Sequence, residues 1–222
     1  MGDSIFEFDP GRSWEYENGF YLTSPVSRLA KALAHFELYK SIVGLPGHVV
    51  ECGVYKGASL IRFATFREIL ESPYSRRIIG FDAFGKFPQN DGPVTSDAAF
   101  IKQFEEEGGP GIPLGDLKRA LALKSLANVE LVQGDVQATI PAYLDQHPHL
   151  KVALLHIDVD VYRPSLTALE HFFPRVVRGG LVVLDDYGTV AGETRAVDEY
   201  FASSVVPIEK LPLSHVPAFI RV

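Results

Sequence analysis

Leu150-Lys151-Val152-Ala153-Leu154-Leu155-His156-Ile157-Asp158-Val159-Asp160 is the stretch that decides the fold class. An almost wholly apolar run ends abruptly in acidic residues. Short continuous apolar runs of this kind suit strands buried on both faces, as in a parallel sheet covered by helices. Leu181-Val182-Val183-Leu184 followed by Asp185-Asp186 repeats the pattern. Working outward, residues 48–52, 77–81 and 128–133 read as three earlier strands. Helical spacing falls between them. Residues 57–71 present Leu60, Ala64 and the group Phe63, Phe66, Ile69 and Leu70 as the inward side. Residues 164–173 and 194–203 form later helices. Ser24-Pro25 opens a helix running to Val43, with Val26, Leu29, Ala30, Leu33 and Phe36 on its apolar face. Residues 205–208 and 216–222 read as two closing strands joined too tightly for a crossover helix, which predicts an antiparallel edge. Strands alternating with helices predict an α/β, Rossmann-like, mostly parallel sheet with helices on both faces.

The remainder of the chain limits what this sheet can serve. At 222 residues the sequence suits a single domain, 1–222. Residues 1–24, with Trp14, Tyr16 and Phe20 at no clear period, read as an irregular arm. Residues 85–127, rich in Gly and Pro around an acidic helical piece, read as a lid or substrate insert. Lys and Arg number 21 and Asp and Glu 28, a net charge of −7. That balance gives no pull toward nucleic acid or an anionic membrane. A hydrophobic content of 46% supports a full core. No run approaches the ~20 apolar residues of a membrane span. The opening residues lack the pattern of a secretory leader, and the lone Cys52 can supply neither an internal disulfide nor a zinc cluster. A cytoplasmic protein is expected.

In such sheets ligands bind beyond the carboxyl ends of the strands, near the point where strand order reverses. After the first strand comes Glu51-Cys52-Gly53-Val54-Tyr55-Lys56-Gly57-Ala58-Ser59, a glycine-bearing turn into a helix. It is neither a dinucleotide fingerprint nor a phosphate loop, and it reads equally as a tight corner or a ligand cradle. Asp82 ends the second strand, placed to accept from ribose hydroxyls or to cap the next element. Asp135 follows the third, at an adenine edge or as a helix cap. If the fourth and fifth strands are neighbours, about 4.8 Å apart, Asp158 (or Asp160) meets Asp185 and Asp186. Clustered carboxylates repel unless a cation or protons compensate, and short all-oxygen side chains suit Mg²⁺. The competing reading makes the Asp185-Asp186 pair a helix cap. His156 shares the strand parity of Asp158 and reads first as a core histidine.

At these residues the chain resembles the macrocin O-methyltransferase family, within the class I S-adenosylmethionine-dependent methyltransferases. The matching pieces are residues 50–57, Asp82-Ala83-Phe84 with Phe87-Pro88, residues 157–162, Gly179-Gly180 leading to Asp185-Asp186-Tyr187, and Ala196-Val197-Asp198-Glu199-Tyr200. The resemblance implies a seven-stranded sheet and Mg²⁺ held by Asp158, Asp185 and Asp186. It places S-adenosylmethionine against Glu51, Gly53, Tyr55, Gly57 and Ser59, with Asp82, Ala83 and Phe84 at the ribose, Asp135 and Val136 near the adenine, and Asp158 alongside. The family's sugar-modifying members carry a histidine in the insert that resembles a general base, and residues 85–127 contain none. His156, Lys102 and Asp97 are the substitutes.

The expected reaction is methyl transfer to a hydroxyl of a small secondary-metabolite acceptor, a vicinal diol or catechol-like group chelated by the metal. Alternatives are metal-independent transfer, a non-catalytic module that binds an adenosyl ligand, and, more remotely, a nicotinamide oxidoreductase. A homo-oligomer fits the aromatic arm and the family's habit.

Overall fold

Two apolar layers sandwich one sheet in the computed structural model, which describes residues 4–88 and 94–222. The parallel strands are β1 (His48–Cys52), β2 (Ile78–Asp82), β3 (Val129–Gln133), β4 (Val152–Ile157) and β5 (Val176–Leu184). Two short strands, β6 (Glu209–Lys210) and β7 (Ala218–Arg221), complete a seven-stranded sheet in the order β3-β2-β1-β4-β5-β7-β6. β7 pairs antiparallel with both β5 and β6, as the closing strands predicted. The chain moves outward from β1 to β3, then returns to the other side of β1 for β4. The carboxyl ends of β1 and β4 therefore flank the reversal point where a crevice opens.

The helices are α1 (Ser13–Thr23), α2 (Val26–Lys40), α3 (Ala58–Leu70), α4 (Thr95–Gly108), α5 (Leu114–Leu123), α6 (Val136–Gln146), α7 (Tyr162–Phe172) and α8 (Ala191–Tyr200). One apolar layer joins the sheet to α6, α7 and α8 through Ile140, Leu169, Phe172 and Val197. The other joins it to α2, α3 and α5 through Leu38, Phe63 and Leu117. Every residue of β4 is buried, which accounts for its unbroken apolar run. α5 sits in the second layer, so it belongs to the body of the domain, whereas α4 stands over the strand ends.

Five expectations need correction. The first residues are not an irregular arm throughout: α1 is a helix, yet none of its residues is buried. A helix without a buried stripe leaves no period to read. Within α2 the buried residues are Ala34, His35, Leu38 and Tyr39, while Val26, Leu29 and Leu33 are exposed. Ile69 of α3 is likewise exposed. Residues 205–208 form no strand; Val205 is fully exposed, Pro207 has no N–H to give a ladder, and the edge strand is the charged pair Glu209–Lys210. β5 also starts earlier than expected. It runs through Gly179 and Gly180, where the pairing with β4 shifts register, and a Cβ on Gly180 would lie 2.9 Å from the Ala153 carbonyl oxygen. Gly92 and Pro93 of the insert lie outside the described residues. No described helix is long and apolar enough to cross a membrane.

Candidate active site

Register fixes the chemistry at the strand tips. Glu51 of β1 pairs with His156 of β4, and Ile157 of β4 pairs with Leu184 of β5. The next residues along, Asp158 and Asp185, therefore leave the sheet side by side. Asp158, Asp185 and Asp186 each bring a carboxylate oxygen within 4.8 Å of the others. The close approach of the β1 and β4 ends depends on Gly53. Its φ of +88° suits glycine, and any Cβ there would run into the Asp158 carbonyl.

Asp185 is the buried member of this cluster, and Asp158, Asp160 and Asp186 are half-buried around it. Burial raises the pKa of Asp158 well above the carboxylate range, and the charge on Asp185 raises it further. Burial and Asp186 do the same to Asp160. Burial and Asp185 raise Asp186, whose Oδ2 is buried with no hydrogen-bond partner among the described residues. Glu193 of α8 is fully buried behind the cluster; its Oε1 accepts from the Asp186 N–H at 3.0 Å, and burial raises its pKa.

Asp185 is the exception. Burial works to raise its pKa, but His156 and Lys31 outweigh that and hold it well below the usual range. The Lys31 ammonium bonds Asp185 Oδ2 directly. His156 Nε2 lies 3.3 Å from Asp185 Oδ1, and its Nδ1 lies 3.0 Å from Glu51 Oε1. Burial alone lowers the pKa of His156; the bonds to Asp185 and Glu51 reverse this and lift it to about 10. Sandwiched between two carboxylates and fully buried, His156 is a charged core residue. His35, one turn beyond Lys31, places Nε2 3.5 Å from Asp185 Oδ1 without a hydrogen bond. Burial holds it neutral, with a pKa near 4.

A cleft opens beside the cluster, at the strand tips where such sheets bind ligands. Gly53, Tyr55, Asp82, Ala83, Asp135, Val136 and Asp158 line it, together with Asp160. Asp82 has structural work as well: Oδ2 accepts from the N–H groups of Val54 and Tyr55 at 2.8 and 3.0 Å, and Oδ1 from that of Phe84 at 2.5 Å. Asp135 caps α6 by accepting from the Gln137 N–H at 2.9 Å. Each of these two residues thus caps backbone and also lines the cleft.

Other expected residues stand apart. Glu51 is buried beneath the cleft, Gly57 is the left-handed N-cap of α3, Ser59 is buried in the first turn of α3, and Phe84 packs into the core. Of the three base candidates, none lines the cleft. Lys102 is on the outer side of α4, its side chain 78% exposed near Glu106. Asp97 is buried and accepts from the Tyr162 N–H at 2.9 Å, fastening α4 to the start of α7. α4 also contributes Phe104, whose ring lies 4.9 Å from that of Tyr55 and 5.6 Å from Phe87, and all three rings line the cleft. The Tyr55 hydroxyl donates to the Gly108 carbonyl at 2.7 Å. The insert is thereby tied to the glycine turn.

Sequence reasoning missed Lys31, His35 and Glu193. Lys31 and His35 are four apart, the spacing of one helix face, but apolar neighbours drew the face assignment elsewhere.

A family model described as Macrocin-O-methyltransferase (TylF) matches residues 28–217. The chain is 30% identical over 164 residues to mycinamicin III 3''-O-methyltransferase of Micromonospora griseorubida, covering 71% of this chain and 61% of that protein. It is 28% identical over 148 residues to 8-demethyl-8-(2,3-dimethoxy-alpha-L-rhamnosyl)-tetracenomycin-C 4'-O-methyltransferase of Streptomyces olivaceus, covering 65% of this chain and 54% of that one. The match thus spans between half and two thirds of these curated relatives. Among solved structures, CalS11, a calicheamicin methyltransferase, superimposes with a TM-score of 0.72 at 28% identity, over 96% of this chain and 86% of that one. The O-methyltransferase NovP gives a TM-score of 0.74 at 21% identity over 87% and 79%, which shows a common fold.

Proposed function

The chain belongs to the macrocin O-methyltransferase family, and from that premise we propose that it moves the methyl group of S-adenosylmethionine to a hydroxyl of a small secondary-metabolite acceptor, with Mg²⁺ held by Asp158, Asp185 and Asp186. The observation that carries this reading is the juxtaposition of three converging carboxylates with the cleft at the reversal point of the sheet.

The residues fit both groups. Crowded carboxylates with elevated proton affinity, one of which has a buried oxygen without a partner, are an all-oxygen donor set short of positive charge. Gly53, Tyr55, Asp82, Asp135 and Val136 line the cleft, and an acidic residue after the second strand suits a ribose, with an adenine beside Asp135 and Val136. When bound, the cation supplies charge stabilisation to an oxyanion and a template for two vicinal oxygens.

The chain's own residues do the rest. Glu51 and His156 fix Asp185 from below and hold its orientation, so His156 is a positioning residue. Phe87 and Phe104 cover the cleft and exclude water from it. Asp160 lines the cleft beside the trio, and this position makes its carboxylate the group to receive the acceptor's proton. The acceptors named in the relatives are sugar-bearing antibiotics, so a sugar diol on a larger scaffold is the first class to test and a catechol the second.

One observation favours a second reading, metal-independent transfer: Lys31 already neutralises Asp185. The test is turnover of isotopically labelled S-adenosylmethionine against deoxysugar and catechol acceptors, with and without a chelator. Transfer that stops in chelator and returns with Mg²⁺ supports the proposal. Transfer indifferent to chelator selects the metal-independent reading. Donor binding with no turnover on any acceptor identifies a binding module.

A further inference from the structure

Asp185 is the central member of the carboxylate trio and the one whose two oxygens are both engaged by the chain's own basic groups. Oδ1 faces His156 Nε2 at 3.3 Å, and Oδ2 bonds the ammonium of Lys31. His156 is fixed: it is buried in the sheet and held from its other nitrogen by Glu51. Lys31 is not fixed in this way. It reaches the cluster from α2 on a flexible four-carbon stem, its side chain is 24% exposed against 2% for Asp185, and water is therefore within its reach. We infer that Lys31 is the resident cation of this site, and that a divalent ion binds by displacing it from Asp185. The inference rests on the metal-site reading above.

The physical argument is charge balance. Asp158, Asp185 and Asp186 each bring a carboxylate oxygen within 4.8 Å of the others, and Asp160 lines the cleft beside them. A cluster of this kind needs a positive charge whether or not an ion is present. Lys31 provides one in the ion-free protein. A divalent ion bonding the same Oδ2 would stand within a few ångströms of the ammonium, and the two cations repel. The lysine has somewhere to go, since its head can return to solvent while its stem stays on α2. The exchange also sets selectivity. A monovalent ion brings no more charge than the ammonium it replaces, whereas a divalent ion does.

The test measures binding, not turnover. Mn²⁺ is titrated into the full chain by calorimetry and by electron paramagnetic resonance, for the native protein, Lys31→Met and Lys31→Arg. Removing the competitor is expected to tighten Mn²⁺ binding at least tenfold in Lys31→Met, while Lys31→Arg, which keeps the charge, binds no tighter than native. Equal or weaker binding by Lys31→Met overturns the inference and leaves the metal site standing. Absence of Mn²⁺ binding by native protein and variants alike overturns both. The native protein gives an independent measurement that needs no variant. Modification of Lys31 by an amine-reactive reagent, followed by mass spectrometry, should run several-fold faster with Mn²⁺ present than without. An unchanged rate overturns the displacement.

Discussion

Glu51 and His156 face each other across the two central strands, Oε1 to Nδ1 at 3.0 Å, both wholly out of solvent. The pair forms the floor of the site. It holds a positive charge at the base of Asp185, where bare carboxylates would otherwise meet only one another.

That floor makes stability depend on pH. The folded-state pKa of His156 is raised from 6.5 to about 10, so its contribution is complete below 6.5 and is lost as pH rises through about 10. On the acid side Asp185, held low, contributes above its ordinary value of 3.8 and loses that contribution as pH falls through its lowered pKa. His35, lowered to about 4, resists a proton that the unfolded chain accepts, so stability also drops between 6.5 and about 4. Asp158, Asp160, Asp186 and Glu193, all raised, add to the loss as pH climbs above the ordinary carboxylate range, so thermal melts of the metal-free protein should decline steadily from pH 6.5 toward pH 10. A melting temperature that keeps rising to pH 10 would show that His156 is not held as the cation described.

His156→Gln removes the charge and leaves Glu51 and Asp185 buried without it. Breaking such a pair typically costs about 3–5 kcal/mol. Denaturant unfolding should show a loss of that order and a flattened alkaline limb. A variant as stable as native would mean that the pair contributes nothing net.

Gly53→Ala tests the junction of β1 and β4. A left-handed non-glycine residue costs about 1–3 kcal/mol by itself, and here the new methyl also meets the Asp158 carbonyl. Calorimetry with S-adenosylhomocysteine should show binding weakened at least tenfold, alongside a lower melting temperature. Unchanged affinity would separate Gly53 from the donor site.

Asp82→Ala removes three backbone hydrogen bonds that shape the glycine turn. Bonds to a charged group contribute about 1.5–3 kcal/mol each, so both fold stability and S-adenosylhomocysteine affinity should fall. If affinity survives while stability falls, Asp82 serves the turn alone.

Asp158→Asn and Asp185→Asn separate metal from donor. Loss of a partner behind a metal ligand costs about 10–100-fold in metal affinity, and loss of a ligand itself should exceed that. Mn²⁺ binding and metal-dependent turnover should disappear, with S-adenosylhomocysteine affinity within a few-fold of native. Variants that bind Mn²⁺ normally would remove these aspartates from the ligand set.

The sheet was legible because burial on both faces writes itself as unbroken apolar runs, as in β4. The carboxylate trio was legible because acidic residues beginning at the end of a buried strand have few structural uses. Lys31 and His35 were not legible, since α2 exposes Val26, Leu29 and Leu33 and buries a histidine. No pattern of hydrophobicity encodes that inversion. α1 escaped for a related reason: nothing on it is buried, so no period marks it. Glu193 lies in a helix whose sequence reads as polar, and only tertiary packing places it behind Asp186. Among the donor-site expectations, Gly53, Tyr55, Asp82, Ala83, Asp135, Val136 and Asp158 line the cleft, while Glu51, Gly57, Ser59 and Phe84 do not.

The most direct measurement is anomalous diffraction from crystals grown with Mn²⁺ and S-adenosylhomocysteine. One Mn²⁺ peak bonded to oxygens of Asp158, Asp185 and Asp186 is expected, with the adenosyl group in the adjoining cleft against Asp82 and Val136. A peak elsewhere, or a cleft that stays empty at saturating ligand, would contradict it.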